Sequence, residues 1–231
     1  MPRILEVRQK VLKQNDILAR ELRQRFKDSG VFVVSLASSP GSGKTAFLEQ
    51  TLTLLRPNYK VAALVGDLET DNDAVRLARA QVPVKQITTG TLCHLEASMI
   101  QTSVEDWQLD ELDFLFIENV GNLVCPSSYD LGENLRLVLL SVTEGEDKPL
   151  KYPTIFNTAD VAVITKMDLA EAVEFDLPTA EANIQRVRPG MKTITLSSKK
   201  GTGMQAWLDY LTGCVQECTP RHDHTTGSVP R

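Results

Sequence analysis

The chain has 231 residues, 42% of them hydrophobic and 24% charged, with a formal net charge of −5. That length gives one large domain or two small ones, and the composition is that of a globule rather than a disordered or fibrous chain. The acidic balance argues against a nucleic-acid partner, no apolar run is long enough to span a membrane, the first residues lack a signal-peptide core, and four cysteines are too few for a disulfide scaffold, so the cytoplasm is the expected compartment.

Residues 3–28 read as a helix, with Ile4, Val7, Val11, Leu18, Leu22 and Phe26 at helical spacing and Gly30 suited to end it. Because it precedes the first strand, it is set apart as an N-terminal helix (1–29) added to a nucleotide core. The apolar run from Val31 to Ala37 reads as a buried strand. It leads into Ser38-Ser39-Pro40-Gly41-Ser42-Gly43-Lys44-Thr45 and then a helix over 44–55. Strand, glycine-rich turn, Lys-Thr and helix are the parts of a phosphate-binding P-loop, although Ser38 stands where that pattern has its first glycine. Backbone N–H groups from Ser39, Gly41, Ser42, Gly43 and Ala46 are expected to cradle phosphate. Lys44 would reach the β- and γ-phosphates as a catalytic cation, and the Thr45 hydroxyl would hold Mg²⁺.

Further strands are expected at 60–66, 84–87, 113–118, 135–141, 161–165 and 192–196, and helices at about 72–80, 91–102, 179–188 and 203–218. Continuous apolar strands alternating with helices give an α/β fold, a mostly parallel sheet of about seven strands flanked by helices, here covering 30–218. The polar tail, 219–231, is expected to be disordered.

Two acidic stretches close strands. Val65-Gly66-Asp67-Leu68-Glu69-Thr70-Asp71 follows the second, and Phe116-Ile117-Glu118-Asn119 ends the fourth. Ligands of open α/β sheets bind at those strand ends. Asp67 and Glu118 are therefore candidates for Mg²⁺, which prefers oxygen ligands, and Asp71 is a candidate to orient the attacking water. Thr165-Lys166-Met167-Asp168 is close to the N-K-x-D base motif of GTP-binding proteins. A carboxylate at Asp168 can accept from guanine N1–H and its exocyclic amine, a donor pair that adenine lacks. Lys166 can lie along the base, and Ser198 and Lys199 follow the next strand in a loop that can support the guanine carbonyl. No arginine finger is evident. Lys148 could act across a dimer but equally reads as a solvated loop cation.

Cys93 and His94 lie in one segment, and Cys125 follows the Glu118 strand. Two thiols and an imidazole suit Zn²⁺ or Ni²⁺, and three ligands leave a tetrahedral ion open unless a second copy contributes. Cys214 and Cys218 sit at i, i+4 on the last helix. They read as packing thiols, with a second metal site involving His222 and His224 as the alternative.

The segments S-S-P-G-S-G-K-T (38–45), V-G-D-L-E-T-D (65–71), C-H-L-E-A (93–97), F-I-E-N-V-G-N-L-V-C-P (116–126) and S-V-T-E-G-E-D-K-P-L-K-Y-P (141–153) resemble the HypB family, GTPases of nickel–iron hydrogenase maturation. The resemblance runs over about 30–213. It implies a SIMIBI-class-like P-loop NTPase and a GTP-dependent homodimer with metal at the dimer interface. It further implies nickel delivery to the hydrogenase large subunit with a HypA-type nickel chaperone as partner. Carried over by motif, the metal ligands fall on Cys93, His94 and Cys125 and the base motif on Lys166 and Asp168. Residues 1–28 contain no Cys or His, so the N-terminal metal motif of some members is not expected here. Thr165 departs from the family's Asn. A nucleotide-switched, zinc-stabilised dimer acting as a scaffold is one rival reading. A urease nickel chaperone is another, although its Cys-Pro-His motif is absent.

Overall fold

In the computed structural model, which describes residues 2–67 and 72–218, the apolar runs become seven strands of one sheet: β1 (Phe32–Ser38), β2 (Val61–Asp67), β3 (Val84–Thr88), β4 (Phe114–Glu118), β5 (Leu135–Ser141), β6 (Val161–Thr165) and β7 (Lys192–Thr195). Their order is β3-β2-β4-β1-β5-β6-β7, and every pairing is parallel. Parallel strands need crossovers that bury both faces, so β1, β4, β5 and β6 are buried along nearly their whole length. On one face Val34 and Leu36 pack with Phe47, Leu48 and Leu52 of α2 (Lys44–Leu55) and with Trp207 and Leu211 of α8 (Met204–Cys218). The buried indole of Trp207 donates to Thr51 Oγ1 at 3.1 Å, so its polar atom is satisfied.

The other face is covered by two groups of helices. Ala19, Leu22 and Phe26 of α1 (Pro2–Ser29) pack with Ile100 of α4 (Ala97–Ser103) over Val33, Leu64 and Leu115. Ile155 and Phe156 of α6 (Pro153–Thr158) and Ala180 and Ile184 of α7 (Leu177–Val187) pack over Val138 and Ala162. The end of α1 follows from its sequence. Gly30 takes φ +75°, its N–H bonds Lys27 O and the Val31 N–H bonds Phe26 O, a Schellman closure.

Three expectations change. The helix placed at 91–102 begins only at Ala97, because the preceding N–H groups are engaged elsewhere: Leu92 N–H closes a turn onto Thr89 O, and Leu95 N–H donates to Asn119 Oδ1 at 3.0 Å. The helix placed at 72–80 is α3 (Asn72–Leu77) followed by a 3₁₀ turn, Ala78–Ala80. Two short helices were not foreseen, α5 (Lys148–Lys151) and α6, each with proline in its first turn, where a missing N–H costs nothing.

β1 lies where the sheet order divides, with β4 on one side and β5 on the other. The crevice beyond the carboxyl ends of the strands at such a point is where open α/β sheets take ligands. Ser38, Asp67, Glu118 and Thr165 are the last residues of β1, β2, β4 and β6, so the topology gathers the candidate residues on one edge.

Candidate functional site

The turn from β1 to α2 places Gly43 at the helix N-cap with φ +96°, and α2 begins at Lys44. The first N–H groups of α2 thus face the crevice, a ready anion site. Ser38, in the position of the pattern's first glycine, is fully buried and takes part in the loop. Lys44 Nζ donates to Ser38 Oγ at 3.0 Å, Ser42 Oγ also donates to it, and Ser38 Oγ donates to Ser39 O at 2.8 Å. Burial pushes the Lys44 ammonium below its ordinary value, and the carboxylates of Glu118, Asp73, Glu144 and Asp67 pull it back. A cleft of about 410 Å³ opens here, lined by Gly41, Gly43, Lys44, Thr45 and Ala46 with Asp67 and Glu118 opposite. Ser39 is buried and is not among the residues that line this cleft.

Glu118 is the most perturbed acid of this cleft. Burial pushes its pKa up to about 7, against the pull of Lys44 and a hydrogen bond from Thr45. Thr45 Oγ1 donates to Oε1 at 2.7 Å, while Oε2 has no hydrogen-bond partner among the described residues. An orphaned buried carboxylate oxygen beside a threonine hydroxyl and a second carboxylate is a donor set that fits Mg²⁺. Asp71 lies outside the described residues.

A second cleft, about 450 Å³, continues from the first past Gly43, Ala46 and Arg76. Thr165, Lys166, Asp168, Ser198 and Lys199 line it. Lys166 has left-handed backbone (φ +59°) and its Nζ donates to Gly41 O at 2.7 Å. Ser197 Oγ donates to Asp168 Oδ1, and that bond holds the Asp168 carboxyl below its ordinary value. Asp168 is therefore ionised at neutral pH and acceptor-only. Thr165 is buried and donates to Ser42 O at 2.7 Å, tying the end of β6 to the phosphate loop. Thr165→Val keeps the shape but removes the donor. It is expected to destabilise the fold by about 1–2 kcal/mol, measured as a lower urea midpoint with unchanged slope.

Beyond Glu118 the chain leads to the thiols. Cys93 and Cys125 Sγ are 2.7 Å apart, Cys93 Sγ is 3.9 Å from His94 Nδ1, and the three potential ligand atoms lie within 4.8 Å of one another. Metal–sulfur bonds of about 2.3 Å and metal–nitrogen bonds of about 2.0–2.1 Å require such a cluster. His94 is buried, stacked on Tyr129 with ring centroids 3.9 Å apart, and its Nε2 lies 3.3 Å from Glu96 Oε1. Nδ1 is thus the nitrogen left toward the thiols, with Glu96 in the place from which an outer carboxylate orients a histidine ligand. Cys214 packs against the α8 core; His222, His224 and the side chain of Cys218 lie outside the described residues.

The thiol cluster is wired to the nucleotide cleft. Asn119, next to Glu118, accepts from Leu95 N–H and from Val120 N–H at 2.9 Å, while its own N–H bonds Leu36 O in β1. Asn122 Nδ2 donates to Cys93 O at 3.3 Å. Gly121 sits against the P-loop so closely that an added Cβ would lie 3.0 Å from Pro40 Cα, a distance at which one of the two segments would have to shift. Asn119, Asn122, Ser197 and Tyr129 were not singled out from sequence. Ser197 had a local signal, since it neighbours the loop assigned to the base. The roles of the two asparagines and of Tyr129 depend on contacts across the fold.

A phosphate loop at a sheet switch point, a carboxylate poised for a base and an acid near an anion cradle define the class: a P-loop GTPase, here with a thiol–imidazole cluster attached. The family model described as CobW/HypB/UreG, nucleotide-binding domain, matches residues 32–195, and the chain belongs to that family. Within it, the hydrogenase maturation factor HypB of Azotobacter chroococcum mcd 1 is 46% identical over 211 residues, 90% of this chain and 68% of the relative. The crystal structure of HypB from Helicobacter pylori in complex with nickel superposes with a TM-score of 0.84 at 43% identity, covering 90% of this chain and 98% of that one. That of the hydrogenase maturation factor HypB from Archaeoglobus fulgidus gives 0.82 at 39%, covering 88% and 100%. No helix among the described residues is long and apolar enough to cross a membrane.

Proposed function

We propose that this chain is a metal-binding GTPase that couples GTP binding and hydrolysis to nickel delivery during nickel–iron hydrogenase maturation. The observation that carries the proposal is the gathering of Cys93, His94 and Cys125 within 4.8 Å, on segments hydrogen-bonded to the residue after Glu118. Nickel is the cargo. Two thiolates and an imidazole bind it, and Zn²⁺ competes for the same donors.

In this reading the N–H groups of Ser39, Gly41, Ser42, Gly43 and Ala46 cradle the phosphates. Lys44 leaves Ser38 Oγ for the β- and γ-phosphate oxygens and serves as the catalytic cation. Thr45 Oγ1, Glu118 and Asp67 would hold Mg²⁺ directly or through water; the ion neutralises charge on the phosphate oxygens. Asp71 orients the attacking water. Asp168 reads guanine N1–H and its amine, Lys166 lies along the base, and Ser198 and Lys199 meet its carbonyl. Filling the phosphate cleft shifts the loop from Glu118 to Gly121. Asn119 and Asn122 carry that shift to Leu95 and Cys93, so both ligands bias one element, as coupling requires.

Further roles follow from the same reading. Half-exposed Leu92 and strongly exposed Val124 border the thiols and support a homodimer face that completes the metal coordination. Lys148 lies 3.6 Å from Glu144 Oε1 and over the Tyr152 ring, from which it could turn toward a second copy. The partners on either side of the cargo are a HypA-type nickel chaperone and the hydrogenase large subunit, in the cytoplasm. The chain divides into the N-terminal helix (1–29), a GTPase domain (30–218) and a tail (219–231).

Nickel titration of the Cys93→Ala, Cys125→Ala double variant tests the metal assignment. Loss of at least 100-fold in nickel affinity, with GDP affinity retained, is expected; nickel binding equal to that of the parent protein would sink it.

A further inference from the structure

The helix that precedes the nucleotide core is bonded to both segments that carry the candidate metal ligands. Asn15 of α1 is buried, and its side-chain amide is used at both ends. Oδ1 accepts from Ala97 N–H at 2.8 Å, three residues beyond His94, and Nδ2 donates to Asp130 O at 2.8 Å, in the loop that runs on from Cys125. About two turns further along α1, Arg23 holds the same loop. Its Nη2 lies 2.6 Å from Asp130 Oδ1 and its Nε donates to Glu133 O at 3.4 Å. The loop lies directly on the helix: a Cβ at Gly132 would be 2.9 Å from Ala19 O and 3.0 Å from Arg23 N. Between Cys125 and Asp130 stands Tyr129, the residue stacked on His94.

We infer that α1 is a structural part of the metal site, with Asn15 as a positioning residue that sets the distance between the His94 segment and the Cys125 loop. The inference rests on the metal-site reading proposed above. The two segments that supply the ligands belong to different crossovers, one after β3 and one after β4, and a backbone ladder does not join them. A single primary amide bonded to both is a fixed spacer. The asparagine is required chemically, because the Ala97 side needs an acceptor and the Asp130 side needs a donor, and only an amide offers both at that span. An outer residue that orients ligands without touching the metal commonly controls metal affinity by 10- to 100-fold. The family match starts at residue 32, so this support comes from a segment outside the nucleotide-binding domain.

The experiment uses the full chain. Nickel affinity, the thiolate-to-nickel charge-transfer absorption and GDP affinity are measured for the parent protein, Asn15→Ala, Arg23→Gln and the Cys93→Ala, Cys125→Ala variant. Asn15→Ala is expected to weaken nickel about tenfold and to shift or weaken the charge-transfer band. GDP affinity should stay within about twofold, since the side-chain bonds of Asn15 go to Ala97 and Asp130 and not to the P-loop. Arg23→Gln removes the partly exposed ion pair to Asp130 and the long bond to Glu133 O. It is expected to fold and to show a smaller change in the same direction, and it decides the matter if Asn15→Ala does not fold. Nickel affinity and spectrum unchanged in the folded variants would overturn the inference. So would GDP affinity falling in step with nickel, because the helix would then brace the whole domain rather than the site. Full nickel binding by the double cysteine variant would instead remove the metal-site reading itself, an outcome distinct from the other two.

Discussion

Glu118→Gln is expected to stabilise the nucleotide-free protein at pH 8 while removing most of its GTP turnover. The Glu118 carboxyl sits at about 7 against an ordinary 4.5, mainly because burial disfavours its charge. Between those values the folded state holds a proton that the unfolded chain has released, so stability falls as pH rises through that window and levels off above 7. The ionised carboxylate then costs the nucleotide-free fold about 3 kcal/mol. Glutamine carries no charge, and its Oε1 still accepts from Thr45. Part of the gain is lost because Lys44 surrenders a favourable partner. A net gain of about 1–3 kcal/mol at pH 8, shrinking toward zero near pH 4.5, is the expected result of urea unfolding at several pH values. Turnover, followed by phosphate release, should fall by about 10²- to 10³-fold, the usual cost of deleting a preorganised electrostatic contact. A variant less stable than its parent at pH 8, or one that retains turnover, would remove Glu118 from the assigned role. In the parent protein the same proton must leave before a divalent cation can bind, so Mg²⁺-dependent GTP affinity should weaken as pH drops below 7.

What could be read from the sequence divides along the range of the interactions involved. β1, β4 and β6 follow within a residue from apolar runs, because a strand buried on both faces needs no contribution from its partners to be recognised. The P-loop is likewise local: strand, turn and helix are contiguous, and only the buried hydroxyl of Ser38 holding Lys44 needed the structure. The start of α4 could not be read, because Asn119 and Asn15 capture the N–H groups of Leu95 and Ala97 from 24 and 82 residues away. Cys93, His94 and Cys125 could be named as a donor set by residue type, but Tyr129 against the imidazole has no pattern in the chain. Thr165, a departure from the family's asparagine, becomes intelligible once its hydroxyl is found on Ser42 O. Its main contact is with the phosphate loop, which in the proposed function leaves base reading to Asp168.

These contacts also limit how the two clefts can communicate. Ser42 O is held by Thr165 and Gly41 O by Lys166, so the phosphate loop is fastened to the base side and has little freedom there. On the opposite side Thr45 Oγ1 donates to Glu118 Oε1 at 2.7 Å, and Gly121 lies close against Pro40. In the proposed coupling, a γ-phosphate would act on the thiols through the Thr45–Glu118 contact and the loop from Glu118 to Gly121. The thiols lie beyond that loop.

Asp168→Asn is expected to reverse the base preference. The Asp168 carboxylate is held by Ser197, at the mouth of the cleft that continues from the phosphate site. As an acceptor-only group it matches two donors on one edge, which guanine presents. Asparagine offers one donor and one acceptor, the complement of xanthine, whose exocyclic amine is replaced by a carbonyl. GTP and xanthosine triphosphate share every phosphate contact, so the ratio of their affinities isolates residue 168 from the P-loop. GTP affinity should fall by on the order of 10³-fold, since sites built around hydrogen bonds reject mismatched ligands far more strongly than apolar pockets do. Xanthosine triphosphate should gain until it is preferred, and ATP should remain weak in both proteins. The fold should be little affected, because the side chain is solvent-facing and Ser197 Oγ can still donate to an amide oxygen. Competition against a fluorescent GDP analogue gives all three affinities. An unchanged order of GTP over xanthosine triphosphate would mean that the base is read elsewhere in the cleft, with Ser198 and Lys199 the next residues to vary.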